Sequence, residues 1–187
     1  MSNKILYLSS YPPRECGLAT FTRDVSDNIQ KKFGKEALAK IIAINEDNSS
    51  LYNYGKKVVF NLVEQDIKSY ENAAEKINSM KGISLVNIQH EFGLFGGDNG
   101  EYLLRLMELT NKKIVTTLHT VLEDPEEDMK LVVQKIFDYS DKVVVMTEIA
   151  KEILTNDYGV DAEKMVVIPH GAPNIEFKEK DKLKKKM

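Results

Sequence analysis

The sequence predicts a doubly wound α/β domain built on a mostly parallel sheet of about seven strands. Three observations carry this reading. Short runs rich in Val, Ile and Leu recur along the 187 residues. Most are continuously apolar rather than alternating, as strands covered on both faces are. Longer segments of helical period separate them, and a strand–helix alternation folds into a parallel sheet with right-handed crossovers.

The elements follow in chain order. A first strand over 4–9 (KILYLS) leads, past Tyr11, Pro12 and Pro13, into a helix on which Phe21, Val25 and Ile29 recur at every fourth residue. A second strand, 39–44 (AKIIAI), is followed by a stretch rich in Asn, Ser and Gly over 45–55, expected as a surface loop, and by a third strand, 57–62 (KVVFNL). A helix over 66–80 precedes the fourth strand, 85–89 (LVNIQ). Asp98 with Glu101 three residues on predicts a capped helix over 102–109, before the fifth strand at 113–118 (KIVTTL). Asp124 then supplies a cap, Pro125 a first helical position, and Glu126 and Glu127 acids for the first turn of an amphipathic helix through Met129, Val132, Val133, Ile136 and Phe137. After a sixth strand, 142–146 (KVVVM), Thr147 caps a helix through Ile149 and Ile153 to about residue 157, and 165–168 (MVVI) is the seventh strand. The lysine-rich end, 178–187 (KEKDKLKKKM), is expected as a solvated tail.

Composition narrows the function classes. With 42% hydrophobic and 29% charged residues the chain has the balance of a soluble globular protein, and at this length it needs no metal or disulfide to hold a core. A net charge of -3 with dispersed basic residues argues against nucleic-acid binding. A single cysteine, Cys16, permits no intrachain disulfide, which fits a cytoplasmic setting. No basic leader with a cleavage site and no 18-residue apolar run are found, so at most a peripheral membrane association is expected.

In open α/β sheets ligands bind beyond the carboxyl ends of the strands, and all three histidines are expected there: His90, His119 and His170 each follow a predicted strand. Gly17, at the entry to the first helix, would let backbone N–H groups approach an anion where the helix dipole favours a phosphate. The alternative is a plain strand-to-helix turn in which Gly17 only supplies a positive φ. A second glycine-bearing loop, Gly93-Leu94-Phe95-Gly96-Gly97, is either a substrate loop with Phe92 or Phe95 as an apolar platform or a turn before Asp98. Dinucleotide and P-loop fingerprints and a G-x-S-x-G elbow are absent. Ser9 and Ser10 stand where a phosphoacceptor receiver would want acids, and no Cys or H-x-x-x-H spacing supports a zinc site. Cys16, without a local base, reads as an incidental thiol.

Taken together, Tyr11-Pro12-Pro13 with Gly17-Leu18-Ala19-Thr20-Phe21, Gln89-His90-Glu91-Phe92-Gly93, Thr117-Leu118-His119-Thr120 and Ile168-Pro169-His170-Gly171 resemble the N-terminal domain of glycosyltransferase family 4, retaining enzymes of the GT-B fold. The likeness runs from about Lys4 to Gly171. It implies a Rossmann-like acceptor-side domain over 1–171 and, over 172–187, the start of a linker to a donor-binding C-terminal domain that this sequence lacks, leaving the isolated chain inactive. The resemblance implies transfer of a hexose from a nucleotide diphosphate sugar to a saccharide or lipid-linked acceptor, with no metal. It places His119 at the transferred sugar as the catalytic contact and Gly17 and Leu18 at the donor diphosphate. Arg14, His90, Glu91, Phe92, Gly96 and Gly97 fall on the acceptor side, and His170 in the crossover to the second domain. The competing reading is a non-catalytic α/β module that binds a small anionic or sugar ligand or a partner protein.

Overall fold

The computed structural model describes residues 4–47 and 52–172. The predicted tail over 178–187, most of the predicted linker and the middle of the 45–55 loop lie outside the described residues. Seven strands form one sheet: β1 Lys4–Ser9, β2 Leu38–Asn45, β3 Val58–Val63, β4 Ile83–His90, β5 Lys113–Leu118, β6 Lys142–Val145 and β7 Met165–Val167. Their order is β3-β2-β1-β4-β5-β6-β7 and every neighbouring pair is parallel. The chain winds outward from β1 to β3, then returns to place β4 on the other side of β1. That reversal opens a crevice between the carboxyl ends of β1 and β4.

Helices α1 Gly17–Phe33, α2 Ile67–Ser79, α3 Tyr102–Leu109, α4 Glu127–Tyr139 and α5 Glu148–Asp157 cover the sheet. Alternation along β1 sends Leu6 and Leu8 into the larger core, with Tyr70, Ala73, Leu103, Leu106, Val133 and Ile136. Tyr7 joins a smaller core on the opposite face, with Ile41, Ala43 and, from α1, Val25 and Ile29. Both faces are therefore sealed, which is why most of these strands read as continuous apolar runs.

The helix starts test the capping expectations. Thr147 does cap α5, its hydroxyl accepting from the Ala150 amide at 3.0 Å, and Asp66 caps α2 from Lys68 at 3.0 Å. Asp124 does not cap α4. It sits at φ 49, and the helix begins at Glu127 behind an N-cap position, Glu126, that makes no side-chain cap bond. A residue before proline is disfavoured in the right-handed helical region, and an aspartate tolerates the left-handed one. Asp98 likewise opens only a separate single turn, Asp98–Gly100, which left-handed Asn99 (φ 53) and Gly100 (φ 81) break from α3. Asn45, expected in a loop, is the buried last residue of β2 and accepts from the Tyr54 hydroxyl at 2.6 Å.

Candidate functional site

Three chain segments meet at the crevice: the β1–α1 turn, the end of β4 and the end of β5. In the first, Tyr11 closes a turn through Arg14 N–H to Tyr11 O at 3.1 Å, and Cys16 is the extended residue before α1. No acidic side chain occupies the first turn of α1 and no side-chain hydrogen bond caps it, so its first amides lie uncapped at the positive end of the helix dipole. Gly17 is exposed there. It is not among the positive-φ glycines, and a Cβ built on it would meet nothing within 4 Å. Gly17 therefore does not supply the positive φ that the plain-turn reading assigned to it.

Cys16 Sγ lies 3.2 Å from Ser10 Oγ. Burial pushes its pKa up, but the Ser10 hydroxyl, the Ala19 and Leu18 amides and the Arg14 charge outweigh that and leave it below the ordinary thiol value. Those amides stabilise the sulfur without closing a capping hydrogen bond.

His119 directly follows β5. Its backbone amide donates to His90 O at 3.0 Å, and its Nε2 lies 2.7 Å from Gln89 Oε1. The Phe21 ring stands edge-on to it, centroids 4.8 Å apart, and also tilts against His170 at 5.0 Å. Burial first, and the nearby His170 second, push the His119 pKa down to about 4, so the ring is neutral at pH 7. A hollow of about 250 Å³ opens beside it, between Leu118, Val121 and Met146 and the start of α5. A larger one, about 340 Å³ by Tyr52, Tyr54 and Phe60 at the edge strand, contains none of the predicted site residues.

The predicted acceptor-side residues divide by what is left free. His90 is completely buried beneath the loop, stacked on Phe95 and edge-on to Phe92, with neither ring nitrogen hydrogen-bonded. Burial, with a smaller contribution from His119, pushes its pKa down to about 3. Phe95 is buried in the core and is no platform; Phe92 is only half-buried. Gly96 and Gly97 have packing reasons to be glycine. A Cβ on Gly96 would sit 2.1 Å from Glu64 O, and one on Gly97, at φ 78, would strike Tyr102. Arg14 donates to Ile44 O and Glu46, each at 3.0 Å, and faces Glu64 at 3.7 Å, so its charge ties β2 to β3. Glu91 accepts from the Thr120 hydroxyl at 2.7 Å and the Phe92 amide at 3.1 Å, which couples the loop to the β5 end. His170 is exposed, its Nδ1 2.8 Å from Gly171 O.

Gln89, Phe21 and Thr120 were not singled out from the sequence as site residues. The signal for the first was present: Asn87 and Gln89 are the two polar residues, at alternate positions, of the predicted strand 85–89.

Residues 71–173, more than half of the chain, match the profile of Glycosyltransferase Family 4. The chain belongs to glycosyltransferase family 4. Two solved structures share its fold. A glycosyltransferase from Rickettsia africae is 20% identical, with a TM-score of 0.63 over 98% of this chain and 48% of that one. HepE of Anabaena, solved in complex with UDP and glucose, is 16% identical, with a TM-score of 0.58 over 91% of this chain and 45% of that one. The family 4 chain thus spans about half the length of the structures it matches. No curated protein sequence matches it. Among the described residues no helix is long and apolar enough to cross a membrane, and no three His, Cys, Asp or Glu side chains group as a metal site.

Proposed function

We propose that this chain is the acceptor-side half of a retaining hexosyltransferase, and that the crevice between β1, β4 and β5 is its share of the active site. The observation that carries this is Gly17, a glycine at an uncapped helix N-terminus that neither backbone conformation nor packing demands. A bare Cα there leaves room for a diphosphate to approach the Gly17 and Leu18 amides. HepE, which shares the fold, was solved with UDP and glucose, in keeping with a nucleotide-sugar donor. His119 lies across the crevice and contacts the transferred sugar. Helix amides and basic groups of the C-terminal half neutralise the leaving diphosphate without a metal. Glu91 and Phe92 face the saccharide or lipid-linked acceptor. Arg14, His90, Gly96 and Gly97 act from behind, holding the loop and the strand ends in place.

The test is kinetic, in the protein that carries both halves. Replacing His119 by Ala should lower turnover on the order of a hundredfold or more, the scale of losing one positioned contact, with folding intact. A wild-type rate in that variant would refute the assignment.

A further inference from the structure

We infer that Gln89 is a positioning residue that locks His119 in its Nε2–H tautomer, so that this side of the crevice accepts a hydrogen bond from a hydroxyl and turns away phosphate. Asn87 and Gln89 are two residues apart on one strand and so share a face. Gln89 is only 1% exposed, and its Nε2 donates to Asn87 Oδ1. With the amide nitrogen committed, the Gln89 oxygen is turned toward His119 Nε2, 2.7 Å away. An oxygen without hydrogen can only accept, so His119 Nε2 carries the proton.

The neutral ring then has one remaining polar atom, Nδ1, and that atom is a bare lone pair. Phe21, edge-on at 4.8 Å, holds the plane of the ring, and the hydrogen bond from the His119 amide to His90 O holds its backbone. A sugar hydroxyl can donate to that lone pair. An ionised phosphate oxygen has no hydrogen to give and meets lone-pair repulsion. Phosphate recognition therefore stays with the α1 amides, and His119 sorts for the hydroxylated part of the substrate. This last step rests on the sugar assignment proposed above; the tautomer lock does not.

The lock can be read by long-range ¹H–¹⁵N correlation spectra of the 187-residue chain with labelled histidines, His119→Ala assigning the ring among three. At pH 7 His119 should show a protonated Nε2 and an unprotonated Nδ1, unchanged by millimolar inorganic pyrophosphate. Gln89→Met should release the lock into a mixture of tautomers while the chain still unfolds cooperatively. Gln89→Glu, an acceptor that adds charge, should keep the Nε2–H form and raise the protonation midpoint of His119. A wild-type Nδ1–H form, a Gln89→Met spectrum identical to wild type, or Nδ1 protonation on adding pyrophosphate would overturn the inference. If Gln89→Met fails to fold, an unmoved midpoint in Gln89→Glu overturns it alone. None of these readings uses transfer activity, so a chain that bound no nucleotide-sugar would sink the functional proposal and leave the lock standing.

Discussion

Gly17 and Gly96 are one residue type under opposite constraints, and substitution by alanine separates them. A methyl group on Gly17 meets nothing, so Gly17→Ala should keep thermal stability within about 1 kcal/mol of wild type, on the stabilising side, because alanine is the better helix residue. On Gly96 the same methyl sits 2.1 Å from Glu64 O, whose neighbours Tyr70 and Gly96 are already bonded through the Tyr70 hydroxyl. Gly96→Ala should cost at least about 2 kcal/mol in denaturant unfolding, since backbone rather than a flexible side chain must move. His90 supplies a pH effect. Burial holds its ring neutral down to about pH 3, whereas the unfolded chain takes up that proton below its ordinary value. Its contribution to stability is full above about pH 6.5 and falls as pH drops toward 3. His90→Leu should therefore shrink the loss of stability between pH 7.5 and 5 by about 2 kcal/mol. An unchanged loss would show that His90 does not carry it. That the histidines cluster near the strand ends was legible from spacing. That one of the three is sealed beneath a loop was not, because burial depends on where Phe92 and Phe95 fold back.

At the scale of elements, strands were the most legible feature, their apolar runs bounded by charges and turns; β1 and β5 keep the predicted limits unchanged. Helix starts were less so, because a cap depends on backbone geometry that neighbours can veto. Thr147 has extended φ and ψ (-142, 154) and its hydroxyl reaches Ala150, whereas Asp124, before a proline, is pulled into the left-handed region. Thr147→Ala should accordingly destabilise by about 1 kcal/mol, and Asp124→Ala should lose no capping energy, in parallel urea titrations. The polar pair Asn87 and Gln89 was visible in β4, yet its meaning needed β5 beside it, since the partner of Gln89 is His119, thirty positions along the chain.

For the molecule as a whole, the topology decides where chemistry can happen: β1 and β4 are neighbours from opposite windings, and the open end of α1 faces the gap between them. The sequence motifs located this edge and the family, but the share of each residue in the site depended on tertiary contacts, as Arg14 shows by spending its guanidinium on Ile44, Glu46 and Glu64. The central claim is that α1 offers its first amides to a donor diphosphate. Calorimetric titration of the protein carrying both halves with a panel of nucleotide diphosphate sugars tests it most directly, comparing wild type with Gly17→Ala. One member of the panel should bind the wild type, and Gly17→Ala, folded and no less stable, should bind it at least about tenfold more weakly, a loss of about 1.4 kcal/mol. Equal affinity in the two proteins, or no binding by any member of the panel, would contradict the claim.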